Sequence, residues 1–389
     1  MKKSTLLIWV LILADLLTGL LLALQLPFSR LGLLIKGIVI LLLFIAYLTR
    51  LRQKAFSSIY LSMAILFIVW FFGFFLSWFN EPNFDPAESL IVLNRYFLFL
   101  ILSCAFLDWS EGKYFEIECG RILDFFFIIN NAFIFIGFFF KIDLLSTYDP
   151  YSEYGEGWRF GYKGLIFGQN AVAAIYTIGI AYLFREAFKY GNSKVFLLIT
   201  TCLATILIGT KATWITLVLI GGYYLYVYRI KTLILFIIPI LAGLAYSFVL
   251  YWQVIREKYM TFIVDKYETM DFFTFWTSNR NGLLSNVINH IDEDWTFVNF
   301  IIGDAISYVE MDFFDLYFYF GIAGLIYLFI YIKLCFIKDK TQDNWYFFGV
   351  WMTMAFVAGH IINSAIVPLF YLLFIFSARD KVHERLSFK

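Results

Sequence analysis

The residues best suited to chemistry in this chain include cations at the ends of long apolar segments. Arg159 and Lys163 precede one such segment, and Lys211 stands in a Gly-Thr-Lys-Ala-Thr turn between two others. Arg280 lies further on, in the polar stretch Thr-Ser-Asn-Arg-Asn. Guanidinium groups bind phosphate oxygens in pairs and keep their charge at physiological pH. The four cations predict a site for a phosphate-bearing lipid, although Arg159, Lys163 and Lys211 also suit interfacial anchors.

Acidic side chains and a histidine occur beside further apolar segments. Glu310, Asp312 and Asp315 precede or open one segment, while His360 and Asn363 end the next. A carboxylate or imidazole could remove the proton from an attacking sugar hydroxyl, and nearby cations would stabilise charge developing on a diphosphate leaving group. The pattern suits a phosphate-bearing lipid substrate. Glu310-x-Asp312 also suits a divalent cation or an ordinary helix N-terminus, and His360 also suits packing.

Composition indicates which elements must position these residues. Of the 389 residues, 62% are hydrophobic and only 15% are charged, with a mean hydropathy of +0.79. A soluble domain is about 45–50% apolar and about 25% charged, so this chain lacks the polar surface of a soluble protein. Its net charge of +1 argues against a nucleic-acid partner. The four cysteines lack metal-ligand or disulfide spacing, and we expect no cofactor.

The apolar segments predict an all-α fold, a polytopic transmembrane helix bundle of about 12 spans. A bilayer core needs about 20 apolar helical residues, and such continuous runs differ from the alternating strands of a membrane barrel. The predicted spans are 6–26, 31–48, 57–79, 89–107, 122–141, 165–184, 195–210, 213–228, 232–252, 313–332, 345–363 and 364–378. Two of them are short, which leaves eleven or thirteen spans open. We interpret residues 1–389 as a single membrane domain, with a large extracytoplasmic loop at 253–312 between spans nine and ten.

The distribution of basic residues predicts the orientation of these spans. Lys and Arg are concentrated in alternate short loops, around residues 50–54, 185–194, 333–340 and 379–389. Because cytoplasmic loops carry such an excess, both termini are predicted to be cytoplasmic. The candidate cations, carboxylates and His360 then converge on the extracytoplasmic side.

A few polar residues lie within the spans or in the large loop without an evident part in this chemistry. The sequence predicts inter-helix hydrogen bonds or interfacial positions for five of them: Asp15, Lys36, Asp124, Asn130 and Asn131. Asn94 and Arg95 lie deeper, in span four, where a charged side chain costs about 2.5–3.5 kcal/mol on insertion scales. The sequence assigns them no role. The three carboxylates at 292–294 predict a solvated loop.

Five short elements follow one another in a set order between residues 155 and 378. They are Arg159-x-Gly161 followed by Phe167 to Ala171, the turn Gly209 to Trp214, Ser278-Asn279-Arg280, Trp295 to Asp304, and Glu310-Met311 separated by nine residues from Gly321-x-x-Gly324. In order and spacing the chain resembles the O-antigen ligase and polysaccharide polymerase superfamily of bacterial inner-membrane proteins. The last element resembles the ligase motif H-N-x9-G-x-x-G.

This resemblance implies glycosyl transfer from an undecaprenyl-diphosphate-linked sugar at the outer face of the bacterial inner membrane. The residues that would bind the diphosphate are Arg280, Arg159 and Lys211. Those that would serve in catalysis are Glu310, His360 and Asp312, with support from Asn170, Lys163 and Asp315. The resemblance argues against a catalytic metal.

Two positions depart from the family pattern. Glu310 stands where the ligases have the histidine usually assigned as general base, and Lys211 stands where an arginine is usual. The identity of the general base is therefore left open between Glu310 and His360. His360 could act as the base if the end of span eleven folds toward the large loop.

The function expected from this pattern is polymerisation of lipid-linked polysaccharide repeat units, because the ligase histidine is absent. Its substrate would be an undecaprenyl-diphosphate-linked oligosaccharide. The other expected partners are membrane lipids, a flippase and a chain-length regulator. The alternatives are a ligase that transfers the finished glycan to another acceptor and, from a different class, a lipid-linked oligosaccharide flippase, which would have little need of a large external loop.

Overall fold

A computed structural model describes most of the chain. It covers residues 3–24, 26, 31–48, 54–80, 84–111, 115–148, 161–166, 168–191, 194–228, 274, 280–305, 309–357, 359, 361–364 and 366–378. Within these residues the regular structure is helical, apart from one isolated bridge between Ser146 and Tyr162. Predicted span nine, Arg159, His360 and most of the first half of the large loop lie outside the described residues.

The helices follow the apolar runs of the sequence. They are α1 Lys3–Ala23, α2 Leu31–Leu48, α3 Lys54–Asn80, α4 Pro86–Trp109, α5 Phe115–Phe140, α6 Gln169–Phe184, α7 Val195–Leu207, α8 Lys211–Tyr228, α9 Arg280–Asp294, α10 Phe297–Ile302, α11 Asp312–Phe320, α12 Gly324–Cys335, α13 Gln342–Val357 and α14 Val367–Phe376. A wider π-helical turn, Arg185–Lys189, extends α6, and a 3-10 turn, Gly321–Ala323, joins α11 to α12.

Seven helical stretches among the described residues are long and apolar enough to cross a membrane. These are Ser4–Leu22, Leu31–Leu48, Ser57–Asn80, Pro86–Trp109, Phe115–Phe140, Gln169–Lys189 and Asp312–Cys335. Large apolar side chains cover their outer surfaces, among them Phe71, Phe72, Phe79, Phe139 and Phe140. Such exposure suits hydrocarbon rather than water. The all-helical fold expected from the sequence is thus confirmed, and the seven apolar stretches are compatible with a multi-pass membrane bundle. The count of twelve spans and the large extracytoplasmic loop stay predictions.

Polar residues inside the bundle pair between helices, as the sequence predicts. Lys36 in α2 forms an ion pair with Asp15 in α1. The Asn130 amide donates to the Tyr176 hydroxyl at 2.9 Å, and that hydroxyl donates to Asn131 Oδ1 at 2.7 Å. These bonds satisfy groups that would be costly to leave unpaired in hydrocarbon, and they fix α5 against α6.

The described helices alternate between two ends of the bundle. We define the basic end by the junctions 184–194, 336–342 and 376–378, and the site end by the junctions 140–148, 161–168, 207–211, 309–312 and 357–366. At the basic end, Arg185 Nη2 donates to the Phe374 carbonyl at 3.0 Å and to Ser377 Oγ at 2.7 Å. A cavity of about 200 Å³ lies there beside the Lys194–Asp124 ion pair, away from the site end.

Asp339 makes the basic end sensitive to acid. Burial raises the pKa of its carboxyl, but hydrogen bonds from Thr341 and the charges of Lys189 and Arg185 outweigh burial and hold the pKa below its usual range. A lowered folded-state pKa stabilises the protein above the unfolded-state value of about 4. That stability is lost as the pH falls through the folded-state pKa.

We therefore expect the thermal unfolding midpoint of the purified protein to fall as the pH drops from about 5 to about 3, the range around the ordinary pKa of an aspartate. Asp339→Asn should lessen this fall, since the variant has no proton to gain at that position. The measurement is a series of melting curves in detergent at fixed ionic strength. An equal fall in both proteins would contradict the assignment.

Candidate functional site

Two groups of the predicted site residues lie at the site end of the bundle. The first is built from the loop 142–148, the loop 161–166 and the end of α7. Thr147 joins all three, because its N–H donates to the Gly161 carbonyl at 2.8 Å and its Oγ1 donates to the Ile208 carbonyl at 2.9 Å. The Tyr162 N–H donates to the Leu207 carbonyl at 2.8 Å. The loop preceding α6 is thus fixed against the turn that leads into Lys211.

Close backbone packing explains the glycine in this loop. A Cβ added to Gly161 would lie 2.2 Å from the Ile208 carbonyl oxygen, far inside a normal contact. Next to it, burial and, to a smaller extent, the charge of Asp143 raise the pKa of Tyr162 above its ordinary value. The phenol stays neutral and is available as a hydrogen-bonding group across the physiological range.

One of the predicted diphosphate ligands, Lys211, and two supporting residues, Lys163 and Asn170, belong to this first group. Lys163 is held through its backbone, which donates to the Leu145 carbonyl at 2.8 Å and accepts from the Asn130 amide. Lys211 is the first residue of α8, and Asn170 is the second residue of α6; all three side chains are half-buried. Arg159 lies outside the described residues, two positions before Gly161.

The second group, which we call the acidic junction, consists of residues 309–315 and 359–364. Asp312 is completely buried at the start of α11. Its Oδ2 accepts from the backbone N–H groups of Ile361 at 2.8 Å and Ile362 at 3.0 Å. Asp315 Oδ1 accepts from the Val309 N–H at 2.7 Å. Hydrogen bonds to a charged acceptor are among the stronger ones in proteins. Asp312 therefore fixes the two chain segments against each other, and Asp315 fixes the loop before α11 within the first segment.

Glu310 occupies an unusual backbone position in the acidic junction. Its φ is +56°, in the left-handed region that non-glycine residues seldom adopt. Gly359, also with a positive φ of +58°, packs on the Glu310 carbonyl so closely that a Cβ there would be 1.9 Å from the oxygen. The Glu310 side chain is 35% exposed. A fixed backbone and an open side chain together make Glu310 suitable for contact with a substrate.

Arg280 forms an ion pair with Glu310, which lies thirty positions later in the sequence. Its Nη2 donates to Glu310 Oε2 at 3.2 Å, and its side chain is 12% exposed. A small apolar cluster holds the two residues together, because α9 packs on the acidic junction and on α11. The cluster consists of Leu284, Val287 and Ile291 from α9 against Val309, Met311 and Phe318. The prediction of a solvated loop at 292–294 is correct about exposure but wrong about secondary structure, because these exposed carboxylates form the last residues of α9.

The two glycines of the G-x-x-G element pack closely against backbone groups next to the acidic junction. Gly321 has a φ of +57°, and a Cβ there would lie 2.4 Å from the Ile301 carbonyl oxygen. A Cβ on Gly324 would be 2.8 Å from the Leu316 carbonyl oxygen. The element therefore has a packing function here, because it brings α10 against the break between α11 and α12.

The acidic junction places the end of span eleven against Glu310. Although His360 lies outside the described residues, Gly359 on one side contacts Glu310 and Ile361 on the other donates to Asp312. The described residues on either side of His360 thus lie at the acidic junction, and the role of His360 as a base stays a prediction. Sequence reasoning missed Gly359, for which a single glycine at the end of an apolar run was the available signal.

Comparison with family descriptions, with curated proteins and with solved structures finds no match for this chain. The superfamily resemblance is accordingly a prediction from the order of the short elements.

The chemistry available at the acidic junction is acid–base chemistry next to a fixed cation. Glu310 can accept a proton, Arg280 can neutralise charge, and Asp312, which is fully buried, suits positioning of the two segments rather than contact with a substrate. Within the described residues, no group of three His, Cys, Asp or Glu side chains has the arrangement of a metal site.

Proposed function

We propose that this chain is a membrane glycosyltransferase that polymerises lipid-linked polysaccharide repeat units on the extracytoplasmic face of the bacterial cytoplasmic membrane. The observation that carries the proposal is the contact between Arg280 and Glu310 at the acidic junction, where a candidate base and a guanidinium meet at the end of a membrane bundle. The ordered elements that resemble the polymerase and ligase superfamily support it. Both termini would be cytoplasmic.

In the proposed reaction, Glu310 takes the proton of an acceptor sugar hydroxyl. The hydroxyl oxygen then attacks the anomeric carbon of the donor, the new glycosidic bond forms, and the bond to undecaprenyl diphosphate breaks with its electron pair on the diphosphate. Arg280, with Lys211 and Arg159, would neutralise the leaving group. Fixed cations aimed at developing charge are worth most in a site that excludes water.

A purified full-length chain should elongate a synthetic undecaprenyl-diphosphate oligosaccharide in detergent or nanodiscs. We expect a ladder of longer products by mass spectrometry, and we expect EDTA to leave the ladder unchanged because the proposed site uses side chains alone. The Arg280→Ala variant should lose most of the ladder. Full elongation by this variant would contradict the role of Arg280, and abolition by EDTA would indicate a metal.

A ligase is the second candidate, since the element that contains Glu310 resembles the ligase motif in spacing. The intermediates that accumulate in a deletion strain distinguish the two. Loss of a polymerase should leave single lipid-linked repeat units, whereas loss of a ligase should leave long lipid-linked chains. Transport of lipid-linked units without any change in their length would instead favour the flippase.

A further inference from the structure

Arg95 places a cation inside a helix that is otherwise apolar. It is the tenth residue of α4, a stretch of 24 residues that is long and apolar enough to cross a membrane. Its neighbour Asn94 adds a second polar group, and both side chains are half-buried. Ionisable residues at such positions are costly, and they are retained mainly where they face a partner, a cavity or a ligand.

Within the part of the chain that the structure describes, the Arg95 side chain is held differently from three other cations of the bundle. Lys36 pairs with Asp15, Lys194 pairs with Asp124, and Arg185 donates to a carbonyl and to a hydroxyl. Among the described residues, by contrast, Arg95 makes no hydrogen bond or ion pair, and its Nε is buried without an acceptor. A buried donor without an acceptor is costly, and a charged one is more so.

The position of Arg95 follows from the contacts of Ser89 near the start of α4. Six residues earlier in α4, Ser89 donates to the Ala305 carbonyl at 3.1 Å and accepts from Trp70 Nε1 at 3.0 Å. Tyr319 of α11 donates to the Ser89 carbonyl and lies within reach of the Arg95 charge. At 1.5 Å of rise per residue, Arg95 is about 9 Å deeper than Ser89. It therefore lies below the site end, on the membrane side of the α10–α11 segment.

The depth of Arg95 restricts the kind of anion that could pair with it. A free anion would have to leave water to reach a half-buried group among apolar helices, whereas the headgroup of a lipid arrives with an apolar tail that suits this surrounding. A phosphate or diphosphate offers several oxygens to the guanidinium fork and can accept a further bond from the Asn94 amide.

We propose that Arg95, assisted by Asn94, binds the phosphate or diphosphate headgroup of a lipid that enters the bundle beside α4. The proposal deepens the proposed function, on which it rests for the choice of a prenyl diphosphate as ligand. It also adds a cation to those already proposed: Arg280 neutralises the leaving group beside Glu310, and Arg95 holds the lipid headgroup deeper in the bundle.

The test measures binding to the purified full-length chain in nanodiscs of phosphatidylcholine, with undecaprenyl diphosphate in one arm and inorganic pyrophosphate in the other. We expect Arg95→Gln to lower the affinity for undecaprenyl diphosphate at least about tenfold, which corresponds to about 1.4 kcal/mol of binding free energy. Arg95→Lys should weaken it less. Arg121→Gln is the matched control, since Arg121 is an exposed arginine of α5 near the basic end, and it should bind as the parent does.

Unchanged affinity of Arg95→Gln for undecaprenyl diphosphate would overturn the proposal. Equal, Arg95-dependent affinity for pyrophosphate would also overturn it, by showing a free-anion site. If Arg95→Gln does not fold, the Arg95→Lys variant provides the test. Loss of the planar guanidinium should still weaken the binding of undecaprenyl diphosphate several-fold. Unchanged affinity of Arg95→Lys would then overturn the proposal. Arg95-dependent binding without elongation by the parent chain would contradict the glycosyltransferase proposal alone, whereas elongation with Arg95-independent binding would contradict only this inference.

Discussion

Replacing Glu310 by Gln should lower the rate of chain extension by about 10²- to 10⁴-fold, the usual contribution of a general base. The amide keeps the size of the side chain and can still accept a hydrogen bond from Arg280, so the acidic junction should stay folded. It cannot accept the acceptor-hydroxyl proton at neutral pH. The measurement is the initial rate of elongation of a lipid-diphosphate oligosaccharide by purified protein at matched amounts.

The control for this variant is Glu293→Gln. Glu293 is an exposed carboxylate in the last turn of the neighbouring helix α9, and its replacement changes net charge equally. We expect parental rates for this control. Near-parental rates for Glu310→Gln as well would transfer the role of base to His360 or exclude a side-chain base.

Gly359→Ala should both destabilise the protein and remove its activity. The residue has a positive φ of +58°, where an L-amino acid costs about 1–3 kcal/mol through the backbone alone. The new methyl group would also lie 1.9 Å from the Glu310 carbonyl oxygen, so the acidic junction would have to open. We expect a lower thermal unfolding midpoint together with a loss of elongation, because displacement of this carbonyl moves the whole of Glu310.

Gly349→Ala gives a matched comparison in the helix that leads to Gly359. Gly349 lies within α13, and a Cβ there would meet no atom within 4 Å. Since alanine favours helix over glycine by up to about 1 kcal/mol, this variant should be as stable as the parent or more so, with unchanged elongation. Similar behaviour of the two alanine variants would show that the close packing at Gly359 is not required.

The membrane architecture could be predicted from sequence because its cause is local. Continuous apolar runs of the length that crosses a bilayer must form helices, as every backbone polar group has to be satisfied within the segment. For the same reason the sequence predicted partners for isolated polar residues within spans, and the Lys36–Asp15 pair confirms this. The shorter helices α7 and α14 match predicted spans in place but fall below the length that fixes a crossing.

The arrangement of the acidic junction could not be predicted, because its cause is not local. Arg280 and Glu310 are thirty positions apart, and the helix that joins them, α9, has too little apolar character to be recognised as more than loop. The left-handed backbone of Glu310 depends on the contact with Gly359, forty-nine positions further on. The residue types alone identified the candidate site residues, but they did not determine which of these residues contact one another.

The glycine break between α11 and α12 divides one membrane-spanning stretch into two short rods. The upper rod, Asp312–Phe320, is fixed at its lower end to Ile301 through Gly321 rather than continued rigidly into the lower rod. Displacement of the upper rod would therefore carry residues 297–302 along with it. Such a displacement would be absorbed at the glycine break and would reach the lower rod only weakly.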